Sequence, residues 1–326
     1  MNYYKNKKVL LTGGTGSLGK ALCHRLNLYG AEVLIYSRDE GKQAALPANL
    51  HSKNIIGDVR DLEKLDKTLK NESPDFLIHT AALKRIDDME FYPDECVKTN
   101  ITGSENVAKA ALRNEISKCI LISTDKACQP INVYGSTKFI AERIFSNYDY
   151  NSNSTTFSSV RYGNVIASRG SFVPLFIDLI KNDQEIKVTS TEMTRFLFTL
   201  EDACDTVLLA LANSAGGEVF VPKINSFTLP TCIKALSKIL NKEAKTKIVG
   251  LRPGEKLHED MLAESELPFS YKVDGSDLIQ IRPQISSKQY QDFQKYKGPH
   301  FNSKLWVSED LDLLTSLFKK ACHEII

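Results

Sequence analysis

The chain has 326 residues and a mass of 36.5 kDa, enough for one large domain or two smaller ones with a full core and no disulfide or metal staple. Hydrophobic residues at 42% and charged residues at 25% exclude a disordered or fibrous protein. The 42 Lys and Arg against 40 Asp and Glu leave +2, which gives no basic field for nucleic acid and no acidic tail.

Taken in chain order, Met1–Lys8 is polar and basic, and only Val9-Leu10-Leu11 follows before Thr12-Gly13-Gly14. That apolar run is too short for a signal peptide. With no membrane-length apolar stretch anywhere, the sequence reads as cytoplasmic, with no membrane partner. Apolar runs alternating with amphipathic stretches predict a strand over Lys8–Leu11, a helix over Leu18–Tyr29, and strands over Glu32–Tyr36 and Lys53–Ile56. A helix over Leu62–Lys70, a strand over Phe76–His79 and a helix over Asn100–Asn114 come next. A strand over Lys118–Ser123, a helix over Tyr134–Asn147 and a strand over Phe157–Arg161 complete the series. This alternation implies an α/β fold with a doubly wound parallel sheet.

After Asn164 the rhythm weakens. Helices are predicted over Pro174–Lys181, Glu201–Leu211 and Phe227–Leu240, an extended piece over Glu185–Val188, and a turn leading into a helix within Arg252–Leu262. Ser265–Phe301, punctuated by Pro268, Pro283 and Pro299, has little periodicity. The expected division is a dinucleotide-binding domain over 1–170, to which 195–222 returns, and a smaller substrate-binding region over 171–326. The seven cysteines form no CxxC pair and the six histidines no HxxxH, so reduced core thiols and no metal site are expected.

Gly13, Gly16 and Gly19 fall at a strand–helix junction in a GxxGxxG spacing, with Thr15, Ser17 and Leu18 between them. Glycines there permit a tight turn and close approach of a pyrophosphate, which the helix N-terminus then faces with free N–H groups. The second predicted strand ends at Ser37 and Arg38, a hydroxyl and a guanidinium suited to a 2′-phosphate, so the expected cofactor is NADP. A simple count of about twenty residues past Gly19 reaches Asp39 instead, which would favour NAD. Asp58 and Val59 after the third strand, and Ala81 and Ala82 after the fourth, extend the track; Lys84 and Asn100 join the cofactor set.

Tyr134 and Lys138 lie four apart on a predicted helix and share a face. A lysine beside a phenol favours phenolate and makes it a usable base. Thr124, at the end of the preceding strand, supplies a hydroxyl for the same substrate oxygen.

The chain resembles the extended short-chain dehydrogenase/reductases. Five segments narrow the resemblance: His79-Thr80-Ala81-Ala82-Leu83-Lys84, Ser123-Thr124-Asp125-Lys126-Ala127, Arg161–Val165 continuing to Ser168-Arg169-Gly170-Ser171, Met193-Thr194-Arg195-Phe196, and Arg252-Pro253-Gly254-Glu255-Lys256. Over roughly residues 7–262 these are similar to UDP-N-acetylglucosamine 4,6-dehydratases that invert carbon 5. The resemblance implies that Tyr134 takes the proton of the sugar 4-hydroxyl while carbon 4 is oxidised. Asp125 and Lys126 stand where that family keeps the acid for the 6-hydroxyl and the base for carbon 5. Lys84, Asn164, Arg195, Arg252 and Glu255 are the expected contacts to the UDP-sugar, and a homo-oligomer is expected by analogy. Cys128-Gln129 and Arg85–Asp88 depart from the family's pattern. A UDP-sugar 4-epimerase, a retaining or 5,6-ene-forming dehydratase, and a non-enzymatic dinucleotide sensor are the alternatives.

Overall fold

The computed structural model describes residues 2–168, 170–286, 290 and 292–323, so Arg169 of the Ser168–Ser171 motif lies outside the described residues. Strands β1 (Lys8–Thr12), β2 (Glu32–Ser37), β3 (Lys53–Ile56), β4 (Phe76–His79), β5 (Lys118–Ile122) and β6 (Thr156–Val160) run parallel in the order β3-β2-β1-β4-β5-β6. This is the doubly wound order, whose direction reverses between β1 and β4. Side chains alternate across the sheet. Val9 and Leu11 meet one set of helices, while Leu10 meets the other.

The helices are α1 (Ser17–Leu28), α2 (Glu40–Ala44), α3 (Leu62–Glu72), α4 (Ile86–Phe91), α5 (Pro93–Cys96), α6 (Gly103–Arg113), α7 (Val133–Tyr150), α8 (Phe172–Lys181), α9 (Leu200–Asn213), α10 (Leu229–Leu240) and α11 (Leu311–Ala321). On one face α1 and α9 bury Leu22, Leu26, Val207 and Leu211 against the sheet. On the other, α3, α6 and α7 bury Leu69, Val107, Ala111 and Phe145. A separate core joins α8, α10 and α11 through Phe176, Ile180, Leu236 and Phe318.

The later strands are β7 (Asn164–Val165), β8 (Ile186–Val188), β9 (Thr194–Phe198), β10 (Val219–Pro222), β11 (Ser226–Thr228), β12 (Thr246–Ile248), β13 (Asp260–Leu262), β14 (Ser270–Lys272), β15 (Leu278–Ile281) and β16 (Phe301–Asn302). β10 extends the main sheet in parallel from β6, and the antiparallel β15 and β14 finish that edge. Small sheets β11-β9-β7, β12-β8 and β13-β16 make up the remainder.

The structure corrects the sequence reading at three places. No helix follows the turn after Arg252; Asp260–Leu262 is a strand paired with Phe301–Asn302, and its Met261 and Leu262 are buried beside Phe301 and Tyr296. Inside the aperiodic 265–301 stretch, β14 and β15 return to the main sheet, with the Asp274-Gly275 turn between them. A π-helical turn over Val97–Thr102 precedes α6, where one continuous helix was expected. Among the described residues no helix is long and apolar enough to cross a membrane, and no cluster of His, Cys, Asp and Glu could hold a metal. All seven cysteines are buried and unbridged.

Candidate active site

The glycine loop lies where β1 gives way to α1. Gly13 takes φ +68°, and a β-carbon there would fall 2.7 Å from the Cα of Ala81, so the loop and the chain leaving β4 touch backbone to backbone. No side chain caps α1 at Gly16, which leaves its first amides to face an anion. Thr15 Oγ1 lies 3.2 Å from Ser37 Oγ, joining this loop to the tip of β2. The arrangement fits the pyrophosphate of a dinucleotide.

At the far end of the track, Arg38 is half-exposed and its Nη1 is 3.7 Å from Asp58 Oδ2. Arg60 holds the same carboxylate at 2.8 Å. Burial works against the Asp58 charge, but the Arg60 hydrogen bonds outweigh it and hold the carboxyl below its usual range. Val59 faces inward and packs in the core. Asn100 is fully buried: its amide donates to Leu83 O at 2.9 Å and Thr137 Oγ1 at 3.1 Å, and its Oδ1 accepts from Leu83 N at 2.8 Å. It therefore fixes the Ala81–Leu83 loop. Leu18 packs partly buried against two cores, and Lys84 is exposed beyond the loop that Asn100 holds.

The reactive groups gather beyond β5. Thr124 starts a single 3-10 turn over Asp125–Ala127, its hydroxyl 2.8 Å from Asp125 Oδ1. Lys126 Nζ lies 3.1 Å from Asp125 Oδ1 and 3.1 Å from Glu259 Oε1, and both carboxylates are buried. The sequence reading left the charge of Lys126 undecided, and its surroundings decide it. Burial disfavours the ammonium, but Asp125 and Glu259 together outweigh that and raise its pKa. Burial also raises Asp125, with Glu259 adding to it and Lys126 opposing. Glu259 moves the other way: burial is outweighed by Lys126 and Arg195, which hold it ionised. Asp125 Oδ2 and Glu259 Oε2 are buried, with no hydrogen-bond partner among the described residues.

Tyr134 and Lys138 do come from the first turns of α7. Burial pushes the phenol up to about 12, moderated first by the Lys126 charge and then by the Thr124 hydroxyl, which hydrogen-bonds it. The cation that chiefly favours the phenolate here is thus Lys126, where the sequence reading assigned this to Lys138. Lys138 is itself buried, which lowers its ammonium to about 8 against the pull of Glu142.

Of the expected substrate contacts, the structure brings Arg195, Glu255 and Arg252 together. Asn164 on β7 stands opposite Leu197 of β9, and its Oδ1 is buried without a partner among the described residues. Arg195 Nη2 is 3.7 Å from Glu255 Oε1, and Arg252 Nε is 3.5 Å from Glu255 Oε2. Arg252 also reaches Asp87 at 3.2 Å, which ties the divergent Arg85–Asp88 segment to this cluster. Cys128 faces the other way, its Sγ 3.8 Å from Glu266 Oε2 in a cavity behind the reactive groups.

Sequence reasoning missed Glu259, Asn132 and Gly135. Asn132 caps α7 by accepting from Gly135 N at 2.7 Å and donates to Gly254 O at 2.8 Å, locking Tyr134's helix to the Arg252–Lys256 loop. An Asn just before the predicted helix was a readable cap signal. Glu259 carried no such signal, because its approach to Lys126 depends on β13 pairing with a strand some forty residues onward.

A family model described as "Polysaccharide biosynthesis protein" matches residues 9–279. A "UDP-N-acetylglucosamine 4,6-dehydratase (inverting)" of Campylobacter jejuni subsp. jejuni is 42% identical over 280 residues, covering 83% of this chain and 82% of its own. A "UDP-glucose 4-epimerase" of Rickettsia bellii is 36% identical and covers 96% of this chain and 97% of its own. The X-ray structure of Pen from Bacillus thuringiensis superposes with a TM-score of 0.90 at 32% identity, covering 98% of both chains. The dTDP-glucose 4,6-dehydratase DesIV from Streptomyces venezuelae, with NAD and TYD bound, shares the fold at a TM-score of 0.68 and 20% identity, covering 77% of this chain and 86% of its own.

Proposed function

The chain belongs to the polysaccharide biosynthesis protein family, and from that premise we propose that it is a UDP-N-acetylglucosamine 4,6-dehydratase inverting carbon 5, giving the 4-keto-6-deoxy sugar of L-arabino configuration. The observation that carries this reading is the buried Asp125–Lys126–Glu259 cluster beside Tyr134. Oxidation at carbon 4 needs only a phenol and its neighbours, whereas elimination across carbons 5 and 6 needs an acid and a base as well.

The cofactor in this reading is NADP. Gly13, Gly16, Gly19 and the α1 amides hold the pyrophosphate, with Thr15, Ser17 and Leu18 around it. Ser37 and Arg38 take the 2′-phosphate, and Asp58 and Val59 lie at the adenine side. Ala81, Ala82 and Lys84 line the nicotinamide side, and Asn100 keeps that loop in place. When bound, the dinucleotide accepts a hydride from carbon 4 and returns one to carbon 6, so no external reductant is consumed. Removing the Arg38 guanidinium should cost NADP affinity more than NAD affinity. An Arg38→Ala chain that keeps its NADP preference would take Arg38 out of the site.

Tyr134 accepts the 4-hydroxyl proton, with Thr124 donating to the same oxygen. Lys138, lowered by burial to about 8, still carries its proton for the most part at neutral pH and supports the forming phenolate. The 4-ketone acidifies carbon 5, Lys126 removes that proton, and Asp125 protonates the departing 6-hydroxyl. Asp125 suits this task because burial raises its pKa above that of an ordinary aspartate. Asn164 and the Arg195–Glu255–Arg252 cluster hold the UDP half.

A second reading, UDP-sugar 4-epimerase, draws on the Rickettsia relatives, whose match extends through the C-terminal segment. One experiment separates the two. The pure protein is incubated with UDP-N-acetylglucosamine in deuterium oxide and the products are followed by NMR. The dehydratase gives an L-arabino 4-keto sugar with one deuterium at carbon 5. An epimerase returns the 4-epimer with its 6-hydroxyl and carbon 5 hydrogen intact. A D-xylo ketone would sink the inversion at carbon 5.

A further inference from the structure

A lysine that removes a carbon proton must first be a free amine, and Lys126 is held as an ammonium between two carboxylates. Glu259 Oε1 lies 3.1 Å from Lys126 Nζ, its Oε2 is buried with no hydrogen-bond partner among the described residues, and its neighbouring cations favour the carboxylate, so it is a proton acceptor in direct contact with Lys126. Its placement is enforced. Glu259 N donates to Ser303 Oγ at 2.8 Å and Ser303 N donates back to Glu259 O at 2.7 Å, so the C-terminal segment clamps it from both sides. Thr194 Oγ1 in turn sits 2.6 Å from Ser303 Oγ.

We propose that Glu259 is the group onto which Lys126 discharges its proton, so that Lys126 meets carbon 5 as an amine; the proposal rests on the dehydratase reading. An Nζ–H bond breaks and an Oε1–H bond forms across the 3.1 Å contact. In a buried site this turns an ion pair into two neutral groups and relieves the cost of holding both charges out of water. The amine lone pair then takes the carbon 5 proton. The C5–H electron pair becomes the C5–C6 double bond, and the C6–O pair leaves with the hydroxyl, which departs as water after taking the Asp125 proton.

The surroundings allow both states. Lys126 faces Asp125 from its own turn, Glu259 from the residue before β13, Arg195 from β9 and the Tyr134 phenol from α7. Glu259 faces Lys126, Arg195 and Lys256. Arg195 Nε, 4.0 Å from Glu259 Oε1, limits how readily Glu259 takes a proton, so the transfer accompanies substrate binding, which further desolvates the Lys126–Glu259 pair.

The test compares the wild-type chain with Glu259→Gln, which keeps the shape and the hydrogen bond to Lys126 but removes the basic oxygen. Two signals are read with UDP-N-acetylglucosamine in deuterium oxide: transient reduced-nicotinamide absorbance for carbon 4 oxidation, and deuterium entry at carbon 5. Glu259→Gln should keep the first and lose the second by about 100-fold or more, the usual worth of a proton-transfer partner. Glu259→Asp should recover part of it. Carbon 5 exchange in Glu259→Gln within about threefold of wild type would overturn the proposal and leave the dehydratase reading standing. Absence of exchange in the wild type itself would end both.

A second comparison holds even if Glu259→Gln folds poorly. Lys126→Met/Glu259→Gln removes the ammonium together with its partner, so no buried charge is stranded. Because Glu259 acts through Lys126, the double variant should be as slow as Lys126→Met alone. A further tenfold loss would overturn the proposal by giving Glu259 a role independent of Lys126.

Discussion

A β-carbon on Gly135 would fall 2.2 Å from the carbonyl oxygen of Lys126. The helix carrying Tyr134 and the turn carrying Asp125 and Lys126 therefore touch main chain to main chain, and the absence of a side chain between them sets how closely the two halves of the chemistry approach. Gly135→Ala would ordinarily favour a helix by up to about 1 kcal/mol. Here the obstacle is backbone that cannot swing aside, and overpacking of this kind costs about 1–3 kcal/mol. The variant should melt at lower temperature and turn over more slowly. A raised melting temperature with full turnover would mean the contact does not set the geometry.

Tyr134→Phe removes one hydroxyl from a half-buried ring and should leave the unfolding midpoint near that of the wild type. Carbon 4 oxidation, read as reduced-nicotinamide absorbance, should fall by about 100-fold or more. Near-normal oxidation would hand the 4-hydroxyl proton to another base.

His79 is fully buried between Thr12 Oγ1, 2.6 Å from Nδ1, and Ser104 Oγ, 3.0 Å from Nε2. Burial, helped by the Lys138 charge, lowers it to about 3. The unfolded chain titrates near 6.5, so between about pH 6.5 and 3 the unfolded state binds a proton that the folded state refuses. The His79 contribution is thus intact above pH 6.5 and is lost at up to about 1.4 kcal/mol per unit as pH falls through that window. Urea midpoints at several pH values, set against His79→Gln, should show a shallower acid slope in the variant. Identical slopes would assign the acid sensitivity elsewhere.

Arg161 is buried between Glu142 and Glu266, each at 2.8 Å, behind the reactive cluster. The pair binds α7 to the segment after β13. Arg161→Met would leave the buried Glu142 and half-buried Glu266 carboxylates without their cation, a loss of about 3–5 kcal/mol. Denaturant unfolding should register it, and a loss under about 1 kcal/mol would show that the carboxylates simply take up protons.

Much of this protein is written locally. Apolar runs such as Val9–Leu11 and Ile120–Ile122, each followed by an amphipathic helix, specify a parallel sheet because only a strand buried on both faces lacks polar alternation. Gly13, Gly16, Thr124, Tyr134 and Lys138 could be picked out because each sits within a few residues of a strand end or a helix start, whereas Asp125 and Lys126 were singled out by the family resemblance.

What the sequence did not carry is anything fixed by pairing across long distances. The strands Asp260–Leu262, Ser270–Lys272 and Leu278–Ile281 are short, and they find partners at Phe301–Asn302 and along the edge of the main sheet. Once they do, Glu259 is carried to Lys126, and Arg252 and Glu255 to Arg195. The charge states follow from that assembly. A lysine next to an aspartate in sequence has two opposing influences, burial and the neighbouring carboxylate. A second buried carboxylate, delivered from more than a hundred residues away, adds to Asp125 in raising the Lys126 pKa.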